Sequence, residues 1–181
     1  MSAKNLVNLL TDYLHSYPQE ATTVNRYIDF VRNHSDCFER SQLAGHVTGS
    51  AWLVNRAGTH VLLTHHRKLN RWLQLGGHAD GQTNALEVAL KEATEESGIE
   101  NIQALSEALF DVDIHQIPER NHEPAHFHYD ARFALQVTDS DSFTVSDESH
   151  ALAWVPISDM ARHTDEVSML RMADKWQHFT H

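Results

Sequence analysis

The stretch GGHADGQTNALEVALKEATEESGIE, residues 76–100, constrains the chain more than any other. Asn84 followed by Glu87 three residues on has the form of a helix start, and Gly98 is the natural residue just past a helix end. Between them Leu86, Ala89, Leu90 and Ala93 supply an apolar stripe, so this helix must pack on a larger body. Glu92, Glu95 and Glu96 fall at i, i+3 and i+4, which projects three carboxylates from one sector near the helix C-terminus. Like charges at that spacing repel, and the helix dipole disfavours anions there, each at about 0.3–1 kcal/mol. A cation would offset this, and three hard oxygen ligands suit Mg²⁺ or Mn²⁺, which also bind phosphate oxygens. A merely solvated acidic face is the plain alternative. Gly76, Gly77 and Gly81 argue against it, because a glycine loop directly before the helix lets backbone approach an ion or ligand.

The rest of the chain alternates helix-like and strand-like texture. Residues 3–34 read as two helices, one carrying Leu6, Leu9, Leu10, Tyr13 and Leu14, the other Val24, Tyr27, Ile28 and Val31, with Pro18 between them. From about residue 45, SAWLVN and THVLLTHH are short β-prone runs joined at Arg56-Ala57-Gly58, which predicts a hairpin. Further strands are predicted over 108–114, 126–137 and 152–155, and a closing helix over 158–179 with a break near Thr164. The expectation is an α/β protein with a helical extension over 1–40 and one domain over 41–181.

Composition narrows the function. The net charge of −11 excludes general binding to nucleic acid or anionic membrane, which rely on clustered Lys and Arg. No stretch approaches the roughly 18 apolar residues of a membrane span, and no signal-peptide pattern opens the chain, so the cytoplasm is the expected location. The single Cys37 excludes an internal disulfide framework and a multi-cysteine zinc site. The 15 histidines outnumber the 14 lysines and arginines, and many lie between residues 60 and 78 or 115 and 128. A metal or proton-transfer site must therefore be considered.

From Gly77 to Ile99 the chain resembles the Nudix hydrolase signature: glycine, five residues, glutamate, seven residues, then Arg-Glu-apolar-x-Glu-Glu-x-Gly-apolar. Gly77, Glu92, Ala93, Glu95, Glu96, Gly98 and Ile99 match in register, while Thr83 stands for the early glutamate and Lys91 for the arginine. Lys91 keeps the charge without the forked hydrogen bonding, and Thr83 removes its partner, which touches loop bracing more than metal binding. The resemblance implies an α/β/α sandwich with a mixed sheet. It implies a pyrophosphohydrolase that cleaves a nucleoside diphosphate-linked or related small molecule by metal-assisted attack of water on phosphorus. It further implies Glu92 and Glu96 as direct Mg²⁺ or Mn²⁺ ligands, Glu95 as bridge or water activator, and the Gly76 carbonyl in the metal shell. A general base from a later loop is expected at Glu148, with Asp147 as substitute. Arg67, Lys68 and Arg71, the one clear basic cluster, are candidate substrate-binding residues. A homodimer is compatible with this reading.

His46, six residues before Trp52, and His78 after Gly76-Gly77 resemble a second group with the same fold, the isopentenyl-diphosphate isomerases. Registration with their metal site places His46, His78, Glu39 and the pair His126 and His128 around one ion. Residues two apart on a strand share a face, and a nitrogen-rich site favours Zn²⁺ or another transition metal over Mg²⁺. The isomerase's catalytic cysteine corresponds to Gly76, which argues against that chemistry. An isomerase-like enzyme and a non-catalytic nucleotide-binding sensor stand as alternatives to the hydrolase.

Overall fold

The structure, a computed structural model, describes residues 3–66, 71–119, 124–145 and 149–179. Two N-terminal helices, α1 (Ala3–Ser16) and α2 (Ala21–Asn33), lead into strand β1 (Gly45–Val54), followed by β2 (His60–His66) and β3 (Arg71–His78). Helix α3 (Ala85–Ser97) comes next, then β4 (Ile102–Ala104), β5 (Asp111–Ile117), β6 (His126–Val137), β7 (Ser149–Pro156) and α4 (Val167–Gln177). Among the described residues no helix is long and apolar enough to cross a membrane.

The seven strands form one mixed sheet in the order β4-β6-β1-β3-β2-β7, with β5 sharing the β6 edge with β4. β1 and β6 run parallel and the other pairs are antiparallel. All ten residues of β1 are buried, as expected for a central strand covered on both faces. On one face α1, α2 and α3 pack on Val47, Ala51, Leu53, Tyr129 and Phe133. On the other, Met169 and Met172 of α4 pack on Trp52, Val54 and Phe110. The result is a three-layer α/β/α sandwich whose N-terminal helices share the core of the sheet.

Local chemistry explains α3 well. The Asn84 side chain accepts the Leu86 N–H at 3.2 Å, and Gly98, at φ 68°, ends the helix with its N–H on the Thr94 carbonyl. Two expectations are corrected. β1 and β2 are joined by the predicted turn but pair only at Val54 and Val61, because β3 inserts between them and takes up the remaining hydrogen bonds. The strand expected over 108–114 lies at Asp111–Ile117, where the alternating Asp111, Asp113 and His115 match the pleat against β6. The break near Thr164 is present, separating a short 3₁₀ turn, Ile157–Arg162, from α4.

Candidate active site and histidine cluster

The end of β3 is clamped to α3. The Gly76 N–H donates to Glu96 Oε1 at 2.8 Å. A Cβ at Gly77 would meet the Glu92 carboxyl carbon at 2.5 Å, so only glycine admits the carboxylate there. Lys91 Nζ bridges Glu92 at 3.2 Å and Glu95 at 2.9 Å. Lys91 thus pairs with the neighbouring glutamates of its own helix. Glu92 and Glu96 line one loop–helix junction while Glu95 is exposed beside Lys91, and among the described residues the three carboxylates do not converge on a common point as the three histidines described below do.

Gly76 decides a second question. A Cβ on it would lie 2.7 Å from Ser50 Cβ and 2.8 Å from Ser50 Cα, so no side chain fits, a cysteine included. Cys37 is fully buried in the core, where burial pushes its thiol up to about 11. Neither position offers the thiol that isomerase chemistry needs.

Strand register assembles the other station. His46 on β1 lies opposite His128 on β6, and His128 lies opposite His115 on β5. Thr48 is opposite both Asp130 and His78. Side chains at alternate strand positions share a face, so His46, His78, His115, His126 and His128 all project from the face opposite α3. Ring centroids are 5.0 Å apart for His46–His78, 4.9 Å for His46–His128 and 4.9 Å for His78–His128. One ring nitrogen from each of these three lies within 4.8 Å of the others. His126 sits 5.0 Å from His46, with Nδ1 against the Pro124 carbonyl at 2.9 Å. His115 sits 5.2 Å from His128. Glu39, expected in this set, is exposed and leans on Gly81 instead, outside the converging group.

Burial, and then the neighbours His126 and Arg40, lower His46 to about 4; burial, Arg40 and His46 lower His78 to about 4. His128 is pulled well below the ordinary histidine range by burial and by His115 and His78. All three are neutral at pH 7, the form that binds metal. His46 is 3% exposed, and beyond a weak contact with the Gln42 backbone neither of its ring nitrogens has a hydrogen-bond partner among the described residues, nor does His128 Nε2. A buried polar group left this way costs about 1–3 kcal/mol.

Beside the histidines lies a buried ionic network that no spacing along the chain announces. Asp130 accepts from Thr48 Oγ1 (2.8 Å), Ser50 Oγ (2.7 Å), Gln74 Nε2 (3.2 Å) and Arg132 Nε (2.7 Å). Arg132 also donates to Asp111 at 3.0 Å, and Arg171 and Lys175 of α4 reach Asp111 at 2.7 and 2.6 Å. Burial alone would raise the Asp111 carboxyl, but Arg171, Arg132 and Lys175 hold it below the usual range. The available signal was parity: Asp130 and Arg132 continue the His126, His128 alternation along β6.

A cavity of about 360 Å³ opens on the same sheet face, lined by Arg71, Asp113, Glu166 and Arg171 among others. Arg71, a candidate substrate-binding residue, pairs there with Glu166. Arg67, Lys68, Asp147 and Glu148 lie outside the described residues.

The NUDIX domain family profile matches residues 45–175. Solved structures share the fold at low identity. A NUDIX-family hydrolase from Clostridium perfringens is 23% identical over 74% of this chain and 97% of its own, with a TM-score of 0.55. The MutT protein from Methanosarcina mazei Go1 is 15% identical over 76% and 96%, with a TM-score of 0.59. The dihydroneopterin triphosphate pyrophosphohydrolase of E. coli is 15% identical over 74% and 93%, with a TM-score of 0.56. No curated protein matches the sequence. With the signature in register, the sandwich in place and the profile spanning most of its length, the chain belongs to the Nudix family.

Proposed function

We propose that this Nudix-family hydrolase cleaves the diphosphate linkage of a nucleoside diphosphate-linked or related small molecule, with water attacking phosphorus and Mg²⁺ or Mn²⁺ as the cofactor. The observation that carries the reading is the clamp at the end of β3, where Glu96 holds the Gly76 N–H and Glu92 fills the space a side chain at Gly77 would need. It holds the loop backbone and two carboxylates in one fixed arrangement, the kind of preorganisation phosphoryl transfer depends on. The donor set, carboxylates beside a glycine carbonyl, is the hard oxygen chemistry that Mg²⁺ and Mn²⁺ take. Such an ion supplies charge neutralisation for the pyrophosphate and a water of lowered pKa.

Glu92 and Glu96 are the proposed ligands, Glu95 the bridging or water-activating carboxylate, and Glu148, or Asp147 in its place, the general base. Lys91 holds Glu92 and Glu95 together by ion pairing. Arg71, with Arg67 and Lys68, is proposed to meet substrate phosphates. We further propose a cytoplasmic enzyme that acts on small molecules, not nucleic acid, with residues 1–40 as a helical extension of the domain over 41–181. A homodimer is its proposed assembly.

A sensor that binds a nucleotide without turnover is the second reading, favoured by one observation: Lys91 already neutralises two of the glutamates. Product release from a panel of nucleoside diphosphate compounds, with Mg²⁺ or Mn²⁺ returned to metal-stripped protein, separates the two. Metal-dependent cleavage supports the hydrolase. Saturable binding of a panel compound with no cleavage under any metal supports the sensor.

A further inference from the structure

We propose that His46, His78 and His128 form a second metal site, on the sheet face opposite α3, that takes one borderline transition-metal dication such as Zn²⁺ or Co²⁺. The site goes beyond the hydrolase reading and shares no ligand with the glutamates.

Four observations carry it. The strand register fixes the three imidazoles on adjacent strands, so they converge by backbone pairing and do not depend on a loop. One nitrogen of each lies within 4.8 Å of the others, and an ion about 2.0–2.1 Å from each nitrogen needs only a modest inward swing of the rings. His46 is almost wholly buried with its ring nitrogens held by no more than a weak contact to the Gln42 backbone among the described residues, and His128 Nε2 is unpartnered, so the cluster is short of hydrogen-bond partners of its own. The donor set is entirely imidazole, which selects borderline transition metals over Mg²⁺.

The surroundings complete the site. A carbonyl only accepts, so the contact of His126 Nδ1 with the Pro124 carbonyl puts the ring proton on Nδ1 and leaves the Nε2 lone pair free. With its centroid 5.0 Å from His46 and 5.2 Å from His128, His126 borders the three-histidine group, whose converging nitrogens do not include its own. His115 sits 5.2 Å from the His128 ring at the border of the group, with its Nδ1 3.8 Å from the Asp113 carboxylate.

The test uses the full chain, stripped by chelator and titrated with Co²⁺ while visible absorption is followed. The expected result is one saturable equivalent, with the d–d bands of four- or five-coordinate nitrogen ligation, bleached by Zn²⁺ and unmoved by excess Mg²⁺. His78→Ala weakens Co²⁺ binding by at least about 100-fold. The double variant Glu92→Gln/Glu96→Gln leaves the bands in place whether or not hydrolysis survives, which separates this site from the proposed catalytic centre. Absence of saturable, Zn²⁺-displaceable bands in the wild-type protein overturns the proposal without reliance on any variant folding. Bands that persist in folded His78→Ala and vanish in the glutamate variant overturn it as well.

Discussion

His46 and His128 lie directly opposite each other on the parallel pair β1–β6, their rings 4.9 Å apart, although 81 residues separate them in the chain. The burial that brings them together also holds them neutral, which makes stability depend on pH in the metal-free protein. Their folded pKa values are lowered, so the unfolded chain takes up protons first as pH falls below about 6.5. Stability is complete above that pH and is lost on the way down to about 4, where folded His46 and His78 titrate. At about 1.4 kcal/mol per pH unit, His46 alone accounts for on the order of 3 kcal/mol, or roughly 5–10 °C of Tm. Thermal unfolding of metal-stripped protein between pH 7 and 4 checks this; a flat Tm over pH 7 to 5 contradicts it.

The two glycines at the end of β3 answer differently to the same change. A Cβ at Gly76 meets Ser50 backbone, which cannot yield, whereas a Cβ at Gly77 meets the movable end of Glu92. Gly76→Ala is expected to lower stability by about 1–3 kcal/mol, as overpacking does. Gly77→Ala is expected to unfold close to wild type while losing most hydrolysis, because the Glu92 carboxylate is displaced. Paired melting curves and turnover rates distinguish the two.

Asp111 receives Arg132, Arg171 and Lys175 in a buried setting. Asp111→Asn removes the charge that balances them and is expected to destabilise by on the order of 3 kcal/mol, seen as a lower urea midpoint at unchanged slope. Asp80→Asn breaks the exposed pair with Arg40 and should shift stability by less than about 1 kcal/mol.

Much of this was legible in the sequence because it is local. The cap at Asn84, the stop at Gly98 and the glutamate spacing of α3 are fixed by near neighbours, and all are in place. The histidine face was partly legible, since His126 and His128 alternate on one strand, but its partners depend on register across β1, β3 and β6. That is why Glu39, placed by registration with another family, lies outside the cluster, while His115 lies beside it. The Asp130–Arg132–Asp111 network was illegible for the same reason: its members sit on β6, β5 and α4, and no spacing along the chain joins them. β3 inserting between β1 and β2 was hidden too, because a turn at Arg56-Ala57-Gly58 is equally consistent with strands that pair throughout.

The most direct test of the account is turnover of diphosphate substrates by Glu96→Gln beside wild type, with Mg²⁺ or Mn²⁺ supplied to metal-stripped protein. Glutamine can still accept the Gly76 N–H, so the loop stays clamped while the metal-binding charge is lost. Metal-dependent hydrolysis is expected of the wild type, with a fall of about 100-fold or more in a variant that melts like wild type. Wild-type turnover in folded Glu96→Gln would contradict it.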